Sequence, residues 1–347
     1  MSTERLAFIR LSGSPYEVGL GLGRFGAAAV HGHLVRTPAW HRLMRLRDDP
    51  RVAGMQRAVQ ERFPRYWDEV RGLADGLGLA FDEVFAWNAR GDIRALAPDG
   101  CTTVQIPGTT NVIAHNEDGD PGFAGRCALA HVASEGGIEF TSFVYPGSIP
   151  GHTFAVNAAG LVQTINNVRA LDGGAGLPRM VITRAVLDTG GLDAAVALVR
   201  SAERAGGFHQ TLGQAGDARL FSLEFTGTRF VAVSIAAPSI HANHLVHEET
   251  GRASQIVTGS SGARQRRGAA LIGGHRVGDP EEAALAVLWD TADPELPIHR
   301  LDPDDPDVEN TMASAVFRIG PKRVDWRVYD RAHAPARFDF VGGLEPA

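Results

Sequence analysis

The stretch "RALAPDGCTTVQI" (residues 94–106) marks a change of character along this chain. It contains Cys101, one of only two cysteines in 347 residues, directly after a Pro-Asp-Gly turn. From Cys101 onwards the stretch is rich in Thr, Val and Ile, which is typical of a β-strand. The pattern therefore predicts that a rare thiol stands at the start of a strand.

The segments on the two sides of Cys101 predict different structures. The first hundred residues begin with a short strand at 5–11, and a capping box at Ser14 and Glu17 with Pro15 predicts a helix over 15–34. Further helical periodicity covers residues 39–47, 51–77 and 81–95. After Cys101, short segments rich in Val, Ile, Thr and Phe predict a sheet meander.

The rest of the chain mixes helices with strands. We expect helices at 177–189, 192–204, 260–273 and 280–290, and strands at 219–225, 229–235, 239–246, 311–319 and 323–329. Runs of strands separated by paired helices indicate an α+β protein in which antiparallel sheets carry helices on their outer faces. The pattern shows no obvious linker.

Composition excludes several classes of partner. The formal net charge is −6, with 44% hydrophobic and 21% charged residues. Without a Lys/Arg-rich block, neither a nucleic acid nor an anionic membrane is an expected partner. The opening residues carry no signal-peptide pattern and the chain has no 18-residue apolar run, so we expect a cytoplasmic protein.

Three further features predict no cofactor or metal. GLGRFG (residues 21–26) matches a dinucleotide motif, but its glycines fall inside the predicted helix, where they allow close packing. LDPDDPD (residues 301–307) is expected to be a solvated loop rather than a calcium loop. Cys101 and Cys127 are too few for a metal cluster, and a bridge between them would be unusual in a reducing compartment.

Cys101 combines several requirements of a nucleophile. A thiol is only partly ionised near neutrality and needs a base. If the Gly100–Cys101 bond is cut, the new α-amine, with a pKa of about 8, can be that base. Gly100 carries no side chain to obstruct attack of the thiol on the preceding carbonyl. The alternative is that Cys101 is a small buried hydrophobic residue.

Six motifs, in order, resemble one family. The segment NARGDIRALAPDGCTTV (88–104) resembles the cleavage-site region of the acyl-coenzyme A:6-aminopenicillanic acid acyltransferase family. This is the cysteine branch of N-terminal nucleophile hydrolases, which is peptidase C45-like and distantly related to the choloylglycine hydrolases. The further matches are AHNEDGD (114–120), PGSIPGHTFAVNAAGLVQTINN (146–167), HANH (241–244), SSGAR (260–264) and TMASAVFRI (311–319).

The resemblance implies a fold and a processing event. The fold is a four-layer αββα sandwich with a mostly helical N-terminal segment. Cleavage between Gly100 and Cys101 would give a helical fragment 1–100 and a catalytic core 101–347, which would stay associated as one integrated domain.

The resemblance also implies roles for site residues. Asp118 would accept a hydrogen bond from the Cys101 amine, and Arg264 could pair with Asp118 or lie beside the nucleophile; otherwise Arg264 is a helix-surface residue. Asn243 would donate to the oxyanion of the tetrahedral intermediate, helped by an amide near Asn166. Asn167 stays an alternative to Asn166, since a slip of one residue in a strand reverses the face.

His115, Asn116 and Gly119 are the expected substrate-binding residues. The choloylglycine branch has an Arg where His115 stands, which argues against bile salts as substrates. The family often has an aromatic residue where Gly119 stands, so we expect a different wall of the acyl pocket here. His241 and His244 would face opposite sides of a strand, so they are not expected to bind a metal.

The predicted reaction is hydrolysis of a small N-acyl or peptide-like amide through an acyl-thioester on Cys101. One alternative is transfer of an acyl group from a thioester or amide to an amine. A second is an unprocessed thiol hydrolase in which Cys101 works with His115 or His241. A third is a non-catalytic binding protein on the same fold. The expected partners are a small-molecule amide or acyl donor and the chain's own fragments, and a homo-oligomer stays open.

Overall fold

The computed structural model describes residues 5–95, 100–274, 278–302, 305 and 307–347. Most of the predicted turn before Cys101 and part of the acidic loop therefore lie outside the described residues. No helix in the described ranges is both long and apolar enough to cross a membrane.

Before Gly100, the described residues form one strand and six α-helices. They are β1 (Ala7–Gly13), α1 (Pro15–Gly32), α2 (Pro38–Met44), α3 (Pro50–Arg62), α4 (Pro64–Leu77), α5 (Phe81–Asn88) and α6 (Arg90–Ile93). A short 3-10 helix (Leu34–Arg36) lies between α1 and α2. The helical character predicted for this segment is confirmed.

The elements from Gly100 onwards alternate between strands and helices. They are β2 (Gly100–Ile106), β3 (Asn111–Gly119), β4 (Ala128–Ser134), β5 (Phe140–Val144), β6 (Phe154–Asn157), β7 (Leu161–Asn167), β8 (Arg169–Ala170), α7 (Arg179–Val186), α8 (Leu192–Ser201), β9 (Phe208–Gln214), β10 (Leu220–Phe225), β11 (Phe230–Ser234), β12 (Ser239–His241), α9 (Glu248–Gly251), β13 (Gln255–Ile256), α10 (Gly259–Gly274), α11 (Pro280–Leu288), β14 (Asn310–Ile319), β15 (Val324–Tyr329) and β16 (Phe338–Val341).

Two large sheets face each other between helices. The eight-stranded sheet runs β1-β4-β5-β6-β7-β9-β10-β11, and the six-stranded sheet runs β12-β2-β3-β14-β15-β16. Helix α1 packs on β1 and β4 and also against α4, whereas α10 and α11 pack on the six-stranded sheet. Strands β2 and β7 contact each other across the gap between the sheets. The predicted α+β fold with four αββα layers is confirmed.

The N-terminal segment shares its core with the rest of the chain. Strand β1 pairs in parallel with β4, from Ala7 opposite Ala128 to Gly13 opposite Ser134. On the helical side, Arg184 of α7 donates from Nε to both carboxylate oxygens of Glu69 of α4, at 3.2 and 3.1 Å, and both side chains are fully buried. A cut at Gly100 would therefore leave the two fragments sharing a sheet and a buried ion pair.

The glycine-rich stretch of α1 lies inside the helix, as predicted. Ser14 and Glu17 form the expected capping box. A Cβ atom on Gly19 would overlap the carbonyl oxygen of Glu69, and one on Gly72 would overlap that of Tyr16. The backbones of α1 and α4 therefore touch, because glycine removes the side chains that would separate them.

The structure differs from the prediction at several elements. The helix predicted over 51–77 is two helices, because Pro64 has no N–H and its ring clashes with the preceding turn, so it begins α4 instead. The strand predicted over 239–246 ends at His241. Strand β9 was not predicted, because it is polar and buried on both faces, so it shows no alternation between apolar and polar residues.

Replacing Gly72 with Ala tests the contact between α1 and α4. We expect a loss of about 1–3 kcal/mol in the free energy of unfolding, since the added methyl must push two backbones apart. The matched control is Gly54→Ala in α3, where a Cβ would meet nothing within 4 Å; it should gain about 1 kcal/mol from helix propensity. Denaturant unfolding measures both, and equal effects of the two substitutions would contradict the close packing.

Candidate active site

Both main-chain groups of Cys101 are held by side chains from distant parts of the sequence. Cys101 is 2% exposed. Its N–H donates to Asn243 Oδ1 at 3.0 Å, and its carbonyl oxygen accepts from Arg264 Nη1 at 2.6 Å. Strand β12 pairs with β2 only from Ser239 to His241, so the loop after β12 supplies a side chain where a strand would otherwise pair.

Arg264 of α10 links the two main-chain contacts. Besides the Cys101 carbonyl, it donates to Thr102 Oγ1 at 2.8 Å and to Asn243 Oδ1 at 2.6 Å. The guanidinium is fully buried, and burial lowers its pKa from the usual value while the charge of Asp118 opposes the shift. The structure thus places Arg264 beside the candidate nucleophile, one of the positions that the sequence left open.

Asn243 is fixed on every side. Its main-chain N–H donates to Ser261 Oγ at 2.9 Å, and its side-chain Nδ2 donates to the carbonyl oxygen of Asn167 at 3.0 Å. The predicted oxyanion donor is therefore next to Cys101. Its predicted role would require Nδ2 to exchange the Asn167 carbonyl for the oxyanion.

Asn166 and Asn167 lie on different faces of β7. The side chain of Asn166 accepts from Thr103 Oγ1 at 2.7 Å and from His209 Nδ1 at 3.0 Å, and it donates to the His241 carbonyl at 3.1 Å. Asn166 thus belongs to the polar layer between the sheets, whereas the main chain of Asn167 contacts Asn243. The role predicted for Asn166 stays a prediction.

Asp118 lies opposite Gly100 in the β2–β3 ladder and is fully buried. Its Oδ1 accepts from Thr311 Oγ1 at 2.7 Å. In the intact chain the Cys101 nitrogen is an amide that donates to Asn243, so a contact between Asp118 and a free amine belongs to the cut form. That role stays a prediction.

Glu117 is the site residue that the sequence reasoning missed. It lies opposite Cys101 in the ladder, and its Oε2 is 3.7 Å from Cys101 Sγ and 3.1 Å from His115 Nε2. Glu117 occupies the variable position (x) of the His-Asn-x-Asp motif, so the motif gives no reason to select it as a site residue. The hairpin register combined with the two-residue period of a strand is the signal that could have found it.

The predicted substrate residues divide between the two faces of β3. His115 lies on the Cys101 side, where Thr103 Oγ1 is 2.8 Å from its Nδ1, and burial lowers its pKa to about 3. Asn116 faces the helices and donates to the Leu288 carbonyl at 2.7 Å. A Cβ on Gly119 would overlap the hydroxyl of Tyr145, so Tyr145 places an aromatic ring against position 119.

Gly100 packs against a buried ionic cluster. A Cβ at this position would overlap the Glu309 carboxylate and approach Arg300 Nη1 to 3.1 Å. Glu309 accepts from Arg300 at 2.7 Å and from Arg169 at 3.4 Å, and burial raises its pKa to about 7. Packing against this cluster therefore favours glycine before Cys101, independently of any chemistry at the bond.

His241 and His244, which flank Asn243, have different hydrogen-bond partners. His241 Nε2 is 2.7 Å from Glu224 Oε1, and His244 Nδ1 is 2.8 Å from Ser261 Oγ. Cys101 and Cys127 are not joined by a disulfide bond. The residues that could hold a metal ion within the described part of the chain are Cys101, His115 and Glu117, whose ligand atoms lie within 4.8 Å of one another.

These contacts define a candidate thiol-nucleophile site at the start of a strand in an αββα fold. Residues 106–333 match the family model described as acyl-coenzyme A:6-aminopenicillanic acid acyl-transferase, and the chain belongs to this family. The predicted family is confirmed. The family and the two proteins described next are named as an acyl-transferase and as hydrolases, which is the class of enzymes that the sequence predicted.

One curated protein and one solved structure are similar to this chain. The beta-alanyl-dopamine/carcinine hydrolase of Drosophila melanogaster is 28% identical over 216 residues, which are 55% of this chain and 56% of the relative. The chain thus spans about half the length of that curated relative. A solved variant of conjugated bile acid hydrolase from Clostridium perfringens is 9% identical, with a TM-score of 0.43 over 71% of this chain and 98% of that one.

The buried neutral ring of His115 predicts a pH dependence of stability. Burial lowers the pKa of His115 from 6.5 to about 3. Below pH 6.5, His115 binds a proton in the unfolded chain but not in the folded chain, so its contribution to the free energy of unfolding is lost as the pH falls. The difference in unfolding free energy between the parent and His115→Gln should therefore shrink by up to about 1.4 kcal/mol per pH unit below pH 6. A difference independent of pH would contradict the buried neutral ring.

Proposed function

We propose that this chain is an amidohydrolase that cuts its own Gly100–Cys101 bond and then hydrolyses a small N-acyl or peptide-like amide through Cys101. The observation that carries the proposal is the fixed position of Cys101, whose amide and carbonyl are held by Asn243 and Arg264. The Drosophila relative is named as a hydrolase of beta-alanyl-dopamine, which by its name is an N-acyl amine, and this supports hydrolysis.

The first step needs a base other than the Cys101 amine, which is still an amide before cleavage. The thiol of Cys101 lies beside Glu117, and Glu117 contacts His115. In the proposal this pair takes the thiol proton, Sγ bonds to the Gly100 carbonyl carbon, and the Gly100–Cys101 C–N bond breaks as the proton passes to the Cys101 nitrogen. Water then cleaves the thioester and leaves a Gly100 carboxylate and a free Cys101 thiol.

Later turnovers use the free amine. It takes the thiol proton, Sγ attacks the substrate carbonyl, and Nδ2 of Asn243 donates to the oxyanion. Asp118, across the ladder from the cut end, would accept from the ammonium group and hold it in position. The ammonium proton passes to the leaving amine, and water resolves the acyl-thioester on Cys101.

Two other functions each have an observation in their favour. The family is named for acyl transfer, so an amine could replace water at the acyl-thioester. The contact chain from Cys101 through Glu117 to His115 favours an unprocessed thiol hydrolase, in which this pair would serve as the base in every turnover. His241 is not part of that chain of contacts, since its Nε2 binds Glu224.

Intact-mass measurement under denaturing conditions tests self-cleavage. We expect fragments of residues 1–100 and 101–347 from the parent and a single chain from Cys101→Ala, because only the thiol can attack the preceding carbonyl. Cys127→Ala is the matched control and should be cut like the parent. An uncut parent would leave only the unprocessed thiol hydrolase and the binding protein.

Glu117→Gln separates the base of the first step from the base of later turnovers. Gln keeps the shape of the side chain but cannot take a proton, so self-cleavage should slow by about 10²–10⁴-fold. Mass measurement after timed incubation follows the rate. Cleavage of Glu117→Gln at the parental rate would remove Glu117 from the first step while leaving Cys101 as the nucleophile.

Product analysis with beta-alanyl-dopamine as the first substrate, followed by other small N-acyl amines, tests hydrolysis against transfer. We expect the free acid and the free amine in equal amounts, with and without an added amine acceptor, because water resolves the acyl-thioester. A predominantly N-acylated product in the presence of the acceptor would assign acyl transfer instead.

A further inference from the structure

Three side chains between the sheets point their ligand atoms at one another. Cys101 Sγ is 3.7 Å from Glu117 Oε2, which is 3.1 Å from His115 Nε2, and all three residues are buried. With bonds of about 2.3 Å to sulfur and about 2.0 Å to nitrogen or oxygen, tetrahedral Zn²⁺ separates S from O by about 3.5 Å and N from O by about 3.3 Å. These two distances in the structure thus lie within a few tenths of an ångström of the corresponding distances in a tetrahedral ligand set.

The hydrogen bonds around His115 fix which of its nitrogens carries the proton. Asn166 donates through Nδ2 to the His241 carbonyl, so its Oδ1 faces Thr103 and accepts the Thr103 hydroxyl proton at 2.7 Å. The Thr103 oxygen must then accept from His115 Nδ1, 2.8 Å away. The remaining nitrogen, Nε2, presents its lone pair to Glu117, and a proton or a cation has to lie between them.

We propose that Cys101, His115 and Glu117 bind one divalent metal ion of the Zn²⁺ class, which masks the thiol. The ligands are a thiolate, a neutral imidazole and a carboxylate, the N, S and O donors that Zn²⁺ takes in proteins. Binding releases the thiol proton and the proton held between Glu117 and His115. The two negative ligands neutralise the ion, so no net charge is buried.

The surroundings of the site support a bound ion. Metal-ligating histidines commonly donate their other ring N–H to an acceptor that fixes the ring, and Thr103 is in that position. Three protein ligands leave one tetrahedral position open for water. Metal binding does not depend on the proposed function; only the consequence that the ion stops self-cleavage and turnover rests on it.

Absorption spectroscopy with Co²⁺, a coloured substitute for Zn²⁺, tests the site. Co²⁺ is titrated into the purified chain, and a second sample is produced in medium that contains Co²⁺ so that access to the buried site is not limiting. We expect one equivalent of Co²⁺, a thiolate-to-cobalt charge-transfer band in the near ultraviolet, and displacement of the band by Zn²⁺. Absence of the band from both samples would overturn the proposal.

Variants assign the band to these residues. Cys101→Ser should abolish it, and Cys127→Ala should keep it, because burial raises the pKa of Cys127 and keeps that thiol protonated. His115→Ala should weaken Co²⁺ binding by more than tenfold, and Thr103→Val by about 10–100-fold, as expected for an outer-shell partner. A band that survives Cys101→Ser would place the ion elsewhere and contradict the proposal.

The metal-site proposal and the self-cleavage proposal can be contradicted independently of each other. A cobalt band in a chain that never cuts itself keeps the metal site and removes the self-processing enzyme. Self-cleavage without a cobalt band in either sample keeps the enzyme and removes the metal site. Where both hold, Zn²⁺ should slow self-cleavage of newly refolded parent chain, and a chelator should restore the rate.

Discussion

A guanidinium enclosed by protein organises the start of β2. Arg264 reaches from α10 to the carbonyl of Cys101 and to the side chain of Asn243, which in turn accepts from the Cys101 N–H. A buried charge is tolerated only where it is fully hydrogen-bonded, so the cation gains its partners by fixing Cys101 and Asn243 in one geometry. The hydrogen bonds that the buried guanidinium requires therefore also fix the conformation of the backbone on both sides of the Cys101 side chain.

Because side chains alternate along a strand, the two faces of the β2–β3 hairpin carry two different groups of residues. The face toward the other sheet carries Cys101, Thr103, His115 and Glu117, which contact one another and, through Thr103, the polar layer that includes Asn166. The opposite face carries residues that hold the hairpin to the helices and to β14, as in the bonds of Asn116 to Leu288 and of Asp118 to Thr311.

The sequence predicted what depends on local chemistry. The capping box at Ser14, the packing glycines of α1 and the change from helix to strand at Cys101 are set within a few residues of chain, and the structure has all three. Pro64 carried an equally local signal, a break between two helices, that the periodicity of 51–77 concealed. Strand β9 could not be predicted by alternation, since both of its faces are buried and carry polar residues: His209 and Thr211 face the other sheet, and Gln210 bonds to Gln163 on the opposite face.

The candidate site was predictable only where a side chain belongs to a motif. Asn243 and Arg264 were found in this way, and the structure brings both to Cys101. Glu117 has no motif, because its position is set by the register that places residue 117 opposite residue 101. The choice between neighbouring residues of β7 depends on the same register, and it puts the main chain of Asn167 at Asn243 and the side chain of Asn166 in the inter-sheet layer.

The same geometry explains why the proposed self-cleaving thiol would need two different bases. Before the proposed cut, the Cys101 nitrogen is an amide that donates its hydrogen to Asn243 and cannot act as a base, and Glu117, which lies beside Sγ and contacts His115, is the proposed acceptor of the thiol proton. After the proposed cut, the nitrogen would be an amine on the same residue and would replace Glu117 and His115 as the base. The carboxyl and the neutral imidazole proposed for the first step are also, with the thiol, the proposed ligands of a cation. The features that would let an intact chain begin its own cleavage are therefore the ones that would let a metal ion prevent it.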